Sequence, residues 1–560
     1  MSFVPFVPLR LLCTQTPPRS IPGTALHEGI NWGWETYPEF LDHLDGIRAV
    51  MDFGSQLGHA AVRSFVLGER AVDPGVEVSD AEMQAMADVV QEAIEAGAVG
   101  FSSTFAEIHQ DIHGNNVPGC WCSEDEMMAL AKAMGRAGRA VYESAGAPNT
   151  RAMKDGGVTN NLRFLEEVGR ETVVSLLVSE AGIERQTAWL EKCHANGSEV
   201  WGQVFARAQG LLLGLDGVLN VFSIRSKTYR EYRNLKPLAA RVARLQDPGV
   251  RAAIFSEYDS YSATNSGPDV DQLTLKVSEN FANMWIMDAH EIDYEPTEET
   301  SIAALASAQG KRPQELLLDA LLMDAGKGVV WYPYQHGYSE RNYDNVRAGL
   351  IHPCCVVGNA DAGAHVAAFT DASCTTFMMS FWARDRTRGP QLPLEQVVKS
   401  QARDAARLYG FHDRGTIETG MKADINVIDF AQLRIHRPEV VHDLPSGASR
   451  WTQQASGYKL TMVAGVVTFR DGEPTGERPG KLIRNPYTAA KRAAGTCLKA
   501  DLGMLRAMRE AGRGGFDIQA GVDRSNFIAH MPGPISQAFY RAERQQQRTE
   551  MSASSSTSKL

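Results

Sequence analysis

Short apolar runs alternate with amphipathic stretches along the larger part of the chain. Runs such as 98–101 and 172–178 predict buried strands, because they are too short for helices and are bounded by glycine or polar residues. Between the runs, apolar residues recur every three or four positions, which predicts helices with one apolar face. The spacing of a capping box marks two helix starts, Ser79 with Glu82 and Ser123 with Glu126.

The predicted strands and helices follow one another as repeated strand–helix units. Strands are predicted at 49–53, 98–101, 139–142, 172–178, 200–205, 329–332 and 354–357. Helices are predicted at 80–96, 123–134, 162–168, 186–196, 313–324, 341–350 and 394–409. Repeated units of this kind indicate a parallel sheet covered by helices. Their number favours a (β/α) barrel over an open doubly wound sheet, and no glycine-rich dinucleotide fingerprint follows any of the strands.

The pattern changes after the helix at 394–409. Residues 415–430 and 459–472 have the alternation of short strands separated by Gly and Asp turns, which predicts a small β-sandwich. The chain is therefore divided into four parts. These are an irregular segment 1–27, an α/β domain with a (β/α) barrel at 28–410, a β-sandwich domain at 411–484, and a C-terminal extension with a disordered tail at 485–560.

Charge and composition exclude some classes of function. The net charge of -11 argues against a nucleic-acid partner, which requires a positive face. No stretch approaches the roughly twenty apolar residues of a membrane span. The 8 cysteines are irregularly spaced, which suits a reducing compartment. Because the sequence ends in Ser558-Lys559-Leu560 after a small polar stretch, a peroxisomal location is expected beside the cytoplasmic alternative.

Candidate site residues follow the predicted strands. Asp361 comes just after the strand at 354–357, and barrel enzymes keep their chemistry at the C-terminal ends of parallel strands. The local sequence leaves a second interpretation open, in which Asp361 caps the next helix. His365, His59 and Ser102 also follow or end predicted strands, so they are candidates for substrate contacts. For His59, a structural role with satisfied hydrogen bonds is the alternative.

Two further polar groups are candidates with ordinary alternatives. Glu143 would supply a carboxylate near the site, or form a salt bridge at its rim. His109, Asp111 and His113 lie on a polar segment after a predicted strand, where a metal site and a solvated loop would have the same residues.

Several motifs together resemble one enzyme family. They are G-H-A-A-V-R from Gly58, N-A-D-A-G-A-H-V from Asn359, and A-R-L-Y-G-F-H-D-R-G-T-I-E-T-G-M-K-A-D-I-N-V-I-D-F from Ala406. With them, the chain resembles the N-acyl-D-amino-acid deacylase (D-aminoacylase) branch of the amidohydrolase superfamily from about residue 28 to 484. The resemblance implies zinc-assisted hydrolysis of the amide bond of an N-acyl amino acid. Asp361 would then be a metal ligand and the carboxylate that moves a proton from water to the leaving amine.

The chain departs from the pattern of that family at the metal ligands. The family's first barrel strand ends in His-x-His, and this sequence has no such motif among its 14 histidines. No histidine stands in 141–146 or 173–179, where relatives have further ligands. Because catalytic zinc usually has three protein ligands, we expect weak zinc binding or none. We also expect a barrel that is incomplete at its N-terminal side, with an exposed strand edge at 49–53.

Two functions agree with these observations. The first is a C–N hydrolase of the N-acyl-D-amino-acid deacylase type with Asp361 as its proton-transfer carboxylate. The second is a catalytically silent relative that binds an acylated amino acid or a partner protein.

Overall fold

The computed structural model describes residues 3–6, 21, 23–105, 109, 116–146, 158–178, 182–217, 219–261, 272–335, 338–358, 360 and 362–511. Asp361, Asp111 and His113 lie outside the described residues, as do residues 558–560. In the described part of the chain, no helix is long and apolar enough to cross a membrane.

A 7-stranded parallel sheet forms the centre of the structure, in the order β1-β2-β3-β4-β5-β6-β10. Its strands are β1 (Phe3–Phe6), β2 (Gly54–Gly58), β3 (Gly100–Thr104), β4 (Val141–Ala145), β5 (Val173–Leu177), β6 (Val200–Val204) and β10 (Cys355–Val357). All neighbouring strands are parallel, so their C-terminal ends lie along one edge of the sheet. The prediction of a parallel α/β fold is confirmed.

Helices connect these strands and cover one face of the sheet. They are α1 (Gly23–Gly29), α2 (Tyr37–Asp45), α3 (His59–Leu67), α4 (Asp80–Ala96), α5 (Glu124–Ala137), α6 (Val158–Glu171) and α7 (Ile183–Ala195). The apolar sides of α2 to α5 are buried in one large core together with Phe101 and Tyr142 of the strands. The predicted capping box of α4 is present, because Ser79 Oγ accepts from Glu82 N while the Glu82 carboxylate accepts from Ser79 N.

The opposite face of the sheet encloses a smaller apolar cluster. Val99, Val141, Val173 and Val356 pack there against Ala406, Leu408, Tyr409 and Phe411. Because strands from both halves of the sheet reach the same cluster, the sheet curves around it as in a (β/α) barrel. Among the described residues the sheet keeps two free edges, β1 and β10, so the barrel is incomplete. The predicted helix at 394–409 is present as α17 (Leu394–Lys399) and α18 (Ala405–Leu408), joined by π-helical turns.

The predicted strand at 49–53 is wrong in position. β2 begins at Gly54 and is hydrogen-bonded on both sides, to β1 and to β3, so the expected exposed edge is absent here. Ala49 and Phe53 instead form isolated bridges to Gly480 and Leu482. The sequence G-S-Q-L-G of β2 is fully buried although only its leucine is strongly apolar, and this is why apolar patterning did not find it.

A second unit is inserted between β6 and β10. Its strands β7 (Gln209–Leu213), β8 (Trp285–Met287) and β9 (Val329–Gln335) form an antiparallel sheet in the order β7-β9-β8. The prediction that 329–332 is a strand of the barrel is therefore wrong. Both faces of this unit are apolar, and a run that is buried on both sides gives no information on its partner strands.

Helices surround the inserted unit and fill its own core. They are α8 (Phe222–Arg225), α9 (Lys227–Tyr232), α10 (Leu238–Gln246), α11 (Pro248–Ser260), α12 (Gln272–Glu279), α13 (Ile302–Ala308) and α14 (Pro313–Gly326). After β9, helix α15 (Asp344–Ile351) leads into β10, and α16 (Cys374–Phe377) follows it.

The region after residue 411 is rich in short antiparallel strands, as predicted. A 4-stranded sheet contains β11 (Ile425–Ile428), β16 (Tyr458–Val463), β17 (Val466–Arg470) and β18 (Glu473–Pro474). Two 2-stranded ladders pair β12 (Arg434–Ile435) with β15 (Ala455–Ser456) and β13 (Glu439–Val441) with β14 (Arg450–Thr452). The chain then returns to the helical layer as α19 (Ala489–Ala494) and α20 (Leu502–Ala511), where Lys491 Nζ lies 2.8 Å from Glu95 Oε1.

Candidate functional site

A row of polar side chains crosses the inner face of the parallel sheet. Ser102, Glu143, Ser175 and Trp201 are successive Cα partners on β3, β4, β5 and β6. Partners on neighbouring parallel strands project to the same face, and the apolar residues below this row, including Val141 and Val173, belong to the inner cluster. Ser102, Glu143 and Ser175 are the central residues of their five-residue strands, and Trp201, the second residue of β6, packs against that cluster.

Gln203 holds the carboxylate at the centre of the row. Its Nε2 donates to Glu143 Oε1 at 3.2 Å, across the strand that separates them. Gln203 is also the Cα partner of Val356 on β10. A Cβ atom on Gly358 would lie 2.9 Å from Gln203 Nε2, so the chain leaves β10 in close contact with the Gln203 amide. The glutamine thus links Glu143 to the strand that precedes Asp361 in sequence.

Two donors of the row are buried without a partner in the described part of the chain. They are the Ser175 hydroxyl, on a residue that is 1% exposed, and the Trp201 indole N–H. Below them, Gln56 Nε2 donates to the Tyr409 hydroxyl at 3.1 Å. Burial, and then the negative charge of Glu143, raises the pKa of Tyr409 well above its ordinary value. The row therefore combines a carboxylate acceptor with two buried donors that meet no partner among the described residues.

His59 lies on the other side of the sheet, in the helical layer. Its Nε2 lies 2.8 Å from Glu126 Oε1, and Arg63 contacts the second oxygen of the same carboxylate. The His59 ring centroid is 5.6 Å from that of Phe101, which alternates with Ser102 and so faces the helices. His59 is 2% exposed and its Nε2 is bonded, but its buried Nδ1 meets no hydrogen-bond partner among the described residues, so the structural role and the substrate contact both stay predictions.

Burial and the neighbouring groups shift the pKa of Glu126 in opposite directions. Burial raises the pKa of Glu126, but the hydrogen bonds and positive charges of His59 and Arg63 outweigh it and lower the pKa overall. Burial, together with the charge of Glu126, raises the pKa of the neighbouring Cys122 thiol well above its ordinary value. Gly119 covers the ring, since a Cβ atom there would lie 2.6 Å from His59 Nδ1.

Neither the polar row nor the His59 cluster fits the zinc site that the family resemblance implies. On the described inner face, Glu143 is the one side chain in the row of a type that binds zinc, and three such ligands are usual. Elsewhere in the described chain one group of potential ligands comes together, namely His59, Cys122 and Glu126. There Arg63 already pairs with the Glu126 carboxylate, and the group lies in the helical layer rather than on the inner face of the sheet.

The other predicted site residues have different surroundings. Ser102 lies in the polar row beside Glu143. His365 has a φ of 49° in a turn, its carbonyl accepts from Ala368 N at 2.8 Å, and its ring packs on Phe369. Asp361 lies outside the described residues, so its catalytic and metal-binding roles stay predictions.

Of the three candidate ligands His109, Asp111 and His113, the structure describes His109 alone. His109 Nδ1 lies 2.6 Å from Thr104 Oγ1 at the end of β3. Asp111 and His113 are outside the described residues.

Sequence patterns missed Gln203, Ser175 and Trp201. All three lie inside predicted strands, and their period of two along β5 and β6 was the signal that could have placed them with Glu143.

A parallel sheet of the barrel type, covered by helices and with polar side chains on its inner face, is the architecture of (β/α)-barrel enzymes. The model of the amidohydrolase family matches residues 14–469. The chain belongs to the amidohydrolase family, and this membership supports a hydrolase that acts on C–N bonds.

Relatives and solved structures match most of the chain. An uncharacterised protein of Mycobacterium bovis and two of Mycobacterium tuberculosis are each 24% identical over 478 residues, covering 80% of this chain and 73% of the relative. The N-acyl-D-glutamate deacylase of Bordetella bronchiseptica, solved with zinc and a phosphonate inhibitor, is 20% identical, with 83% of this chain and 80% of that chain covered and a TM-score of 0.47. A D-aminoacylase structure is 16% identical, with 80% and 75% covered and a TM-score of 0.45.

Proposed function

We propose that the protein hydrolyses the amide bond of a small N-acyl amino acid, in the manner of an N-acyl-D-amino-acid deacylase. The observation that carries the proposal is the polar row centred on Glu143, on the inner face of the parallel sheet in a chain of the amidohydrolase family. An amide substrate offers one acceptor and one donor to such a row.

Asp361 is the proposed proton-transfer carboxylate. It follows β10, whose parallel pairing with β6 brings its C-terminal end to the same edge of the sheet as the C-terminal ends of the strands that carry the polar row. A carboxylate in that part of the sequence would accept a proton from the attacking water and return it to the leaving amine.

The second candidate is a catalytically silent homologue that binds the acylated amino acid without cleaving it. The observation in its favour is the row itself, in which serine, tryptophan and glutamine accompany a single described carboxylate. Such a row binds polar groups, but it lacks the ligands that a catalytic zinc ion requires.

Turnover of N-acyl-D- and N-acyl-L-amino acids tests the first candidate, with the Asp361→Asn variant as the decisive comparison. We expect the variant to lose at least a hundredfold in kcat, because an amide of the same shape cannot transfer the proton. Asp88→Asn, on the exposed side of α4, is the matched control and should keep full activity. Unchanged turnover in Asp361→Asn would mean that another residue moves the proton.

Metal analysis after extensive dialysis tests the fit of zinc independently of turnover. We expect substoichiometric zinc, because the polar row holds one potential zinc ligand and Glu126 of the other group is already paired with Arg63. Equimolar zinc that resists dialysis would contradict this expectation. Binding of an N-acyl amino acid without any product would instead favour the silent homologue.

A further inference from the structure

A local excess of positive charge lies on the inserted unit, outside the polar row. Residues 225–251 contain eight Lys or Arg and two Asp or Glu, a net charge of +6 in a chain whose net charge is -11. They run from the end of α8 into α11, and the helices α8 to α11 pack against one another. The positive charge is therefore concentrated on one small group of helices, while the rest of the chain is acidic.

Only part of this charge is neutralised within the protein. Three of the cations have a carboxylate partner, and they are Arg225, Arg241 and Arg251. Four others are exposed and form no ion pair in the part of the chain that the structure describes, namely Lys227, Arg230, Lys236 and Arg244. These four side chains define the basic surface. The exposed Glu231 on α9 offsets only part of their charge, so an anion bound among them would relieve their mutual repulsion.

Contacts within the protein hold the two arginines of the basic surface in place. Nη1 of Arg230 donates to the backbone carbonyls of Ser223 and Ile224, at 3.0 and 3.1 Å. The guanidinium of Arg244 lies over the Tyr232 ring, 5.7 Å from its centroid, and so joins α10 to the end of α9. A guanidinium has five N–H donors, and neither of these contacts involves a carboxylate, so both groups keep donors for a bound acid. Because they are already held, ordering them on binding costs little entropy.

We propose that the basic surface is a docking site for an acidic segment, rich in Asp and Glu, of a partner protein. Carboxylates match the fork of a guanidinium, and an extended segment of about six residues, roughly 20 Å long, reaches across two packed helices. None of the large hydrophobic side chains exposed in the described chain lies in 225–251, whereas a membrane-binding surface adds apolar side chains to its cations. A nucleic acid would extend beyond so small a surface and meet the acidic remainder of the chain. The proposal does not depend on the proposed hydrolysis.

Fluorescence anisotropy with a labelled deca-glutamate peptide, measured on the full chain at low salt, tests the proposal. Arg230→Glu should weaken binding at least about tenfold, because an attraction becomes a repulsion. Arg230→Lys keeps the charge but loses the fork, so it should weaken binding by about three- to fivefold. Lys459→Glu is the matched control, since Lys459 is exposed on β16 outside the basic surface. It changes the net charge as much as Arg230→Glu does, and it should change binding by less than about twofold.

Lys227→Glu provides a second variant with little risk to folding, because a carboxylate in the first turn of α9 suits the helix dipole. It should also weaken binding of the peptide, by at least about fivefold. Equal weakening by Lys459→Glu would overturn the proposal, since binding would then follow net charge alone. A wild type that does not bind deca-glutamate would overturn it as well. So would tighter binding of a thymidine oligonucleotide of the same length, or of phosphatidylserine vesicles, than of the peptide.

Discussion

At the scale of single residues, Glu126 carries the most concentrated interaction in the helical layer. Glu126 is 1% exposed, and the two oxygens of its carboxylate contact His59 and Arg63. A buried charge of this kind is tolerated because a second charge and several hydrogen bonds compensate it. Removing one partner therefore costs more than the pair itself contributes.

Glu126→Gln tests this interaction. The substitution keeps the shape of the side chain but leaves the guanidinium of Arg63 buried without its counter-charge. We expect the free energy of unfolding to fall by about 3–5 kcal/mol, measured by urea denaturation. Glu124→Gln, in the exposed first turn of the same helix, is the control and should change it by less than about 0.5 kcal/mol.

The pH dependence of the same pair has a definite sign. Because the pKa of Glu126 is lowered in the folded state, its contribution to stability is present above the pKa of an unfolded glutamate, about 4.3. It is lost as the pH falls through the lower folded value. The stability difference between wild type and Glu126→Gln should therefore shrink below about pH 4. A difference that stays constant down to acid denaturation would argue against the ion pair as its cause.

Sequence patterns found His59 but not what holds it. Ser123 with Glu126 predicted a capping box, and the serine does accept from the Glu126 N–H. The Glu126 carboxylate, however, bonds to His59 and Arg63 on another helix rather than to the N-cap. Local spacing carries no information on a partner so distant in sequence, so neither the ion pair nor the burial of His59 could be predicted.

At the scale of elements, the two serine-capped helices differ in what their caps contribute. α4 has the full reciprocal box between Ser79 and Glu82, and Arg70 Nη1 adds a bond to the same glutamate at 2.5 Å. α5 retains one half of the box, from Ser123. The two helices thus form a natural comparison within one chain.

Ser79→Ala should lower the free energy of unfolding by about 1–2 kcal/mol, because it removes an N-cap acceptor and one side of the box. Ser123→Ala should cost about 0.5–1 kcal/mol, since one bond is lost there. Thermal and urea unfolding measure both. Ser79→Asp, which keeps a capping oxygen, is the control, and a loss as large as that of Ser79→Ala would contradict capping as the reason.

Most helices and strands of the barrel were predicted within a few residues, because one-sided burial leaves a periodic signal. The failures have a common physical cause. β2 is buried with a sequence of glycine and polar residues, and β9 is buried on both faces, so neither shows which sheet it joins. The polar row was missed for a related reason, since pairing across β3 to β6 depends on register rather than on any local pattern.

At the scale of the whole molecule, one carboxylate joins the barrel to the β-rich region. Asp52 precedes β2, and it accepts from Arg414 Nη1 at 2.8 Å and from Lys422 Nζ. The backbone N–H of Lys481 donates to its other oxygen at 2.9 Å. Arg414 and Lys422 lie near the start of the β-rich region (411–484), and Lys481 lies near its end. Asp52 therefore holds both ends of this region beside β2.

Asp52→Ala should therefore loosen the β-rich region more than an ordinary surface change. Burial raises the pKa of Asp52, but the bonds from Lys422, Arg414 and the Lys481 N–H outweigh it and lower the pKa overall. The contribution of Asp52 to the free energy of unfolding is therefore present above about pH 3.9, the pKa of an unfolded aspartate, and is lost as the pH falls through the folded pKa. At neutral pH we expect a loss of about 2–3 kcal/mol in urea unfolding and faster proteolysis within 411–484. Asp413→Ala is the matched control, because Asp413 pairs with the same Arg414 but is 59% exposed, and it should cost less than about 1 kcal/mol. Equal losses in the two variants would show that Arg414 needs any nearby charge rather than the specific connection through Asp52.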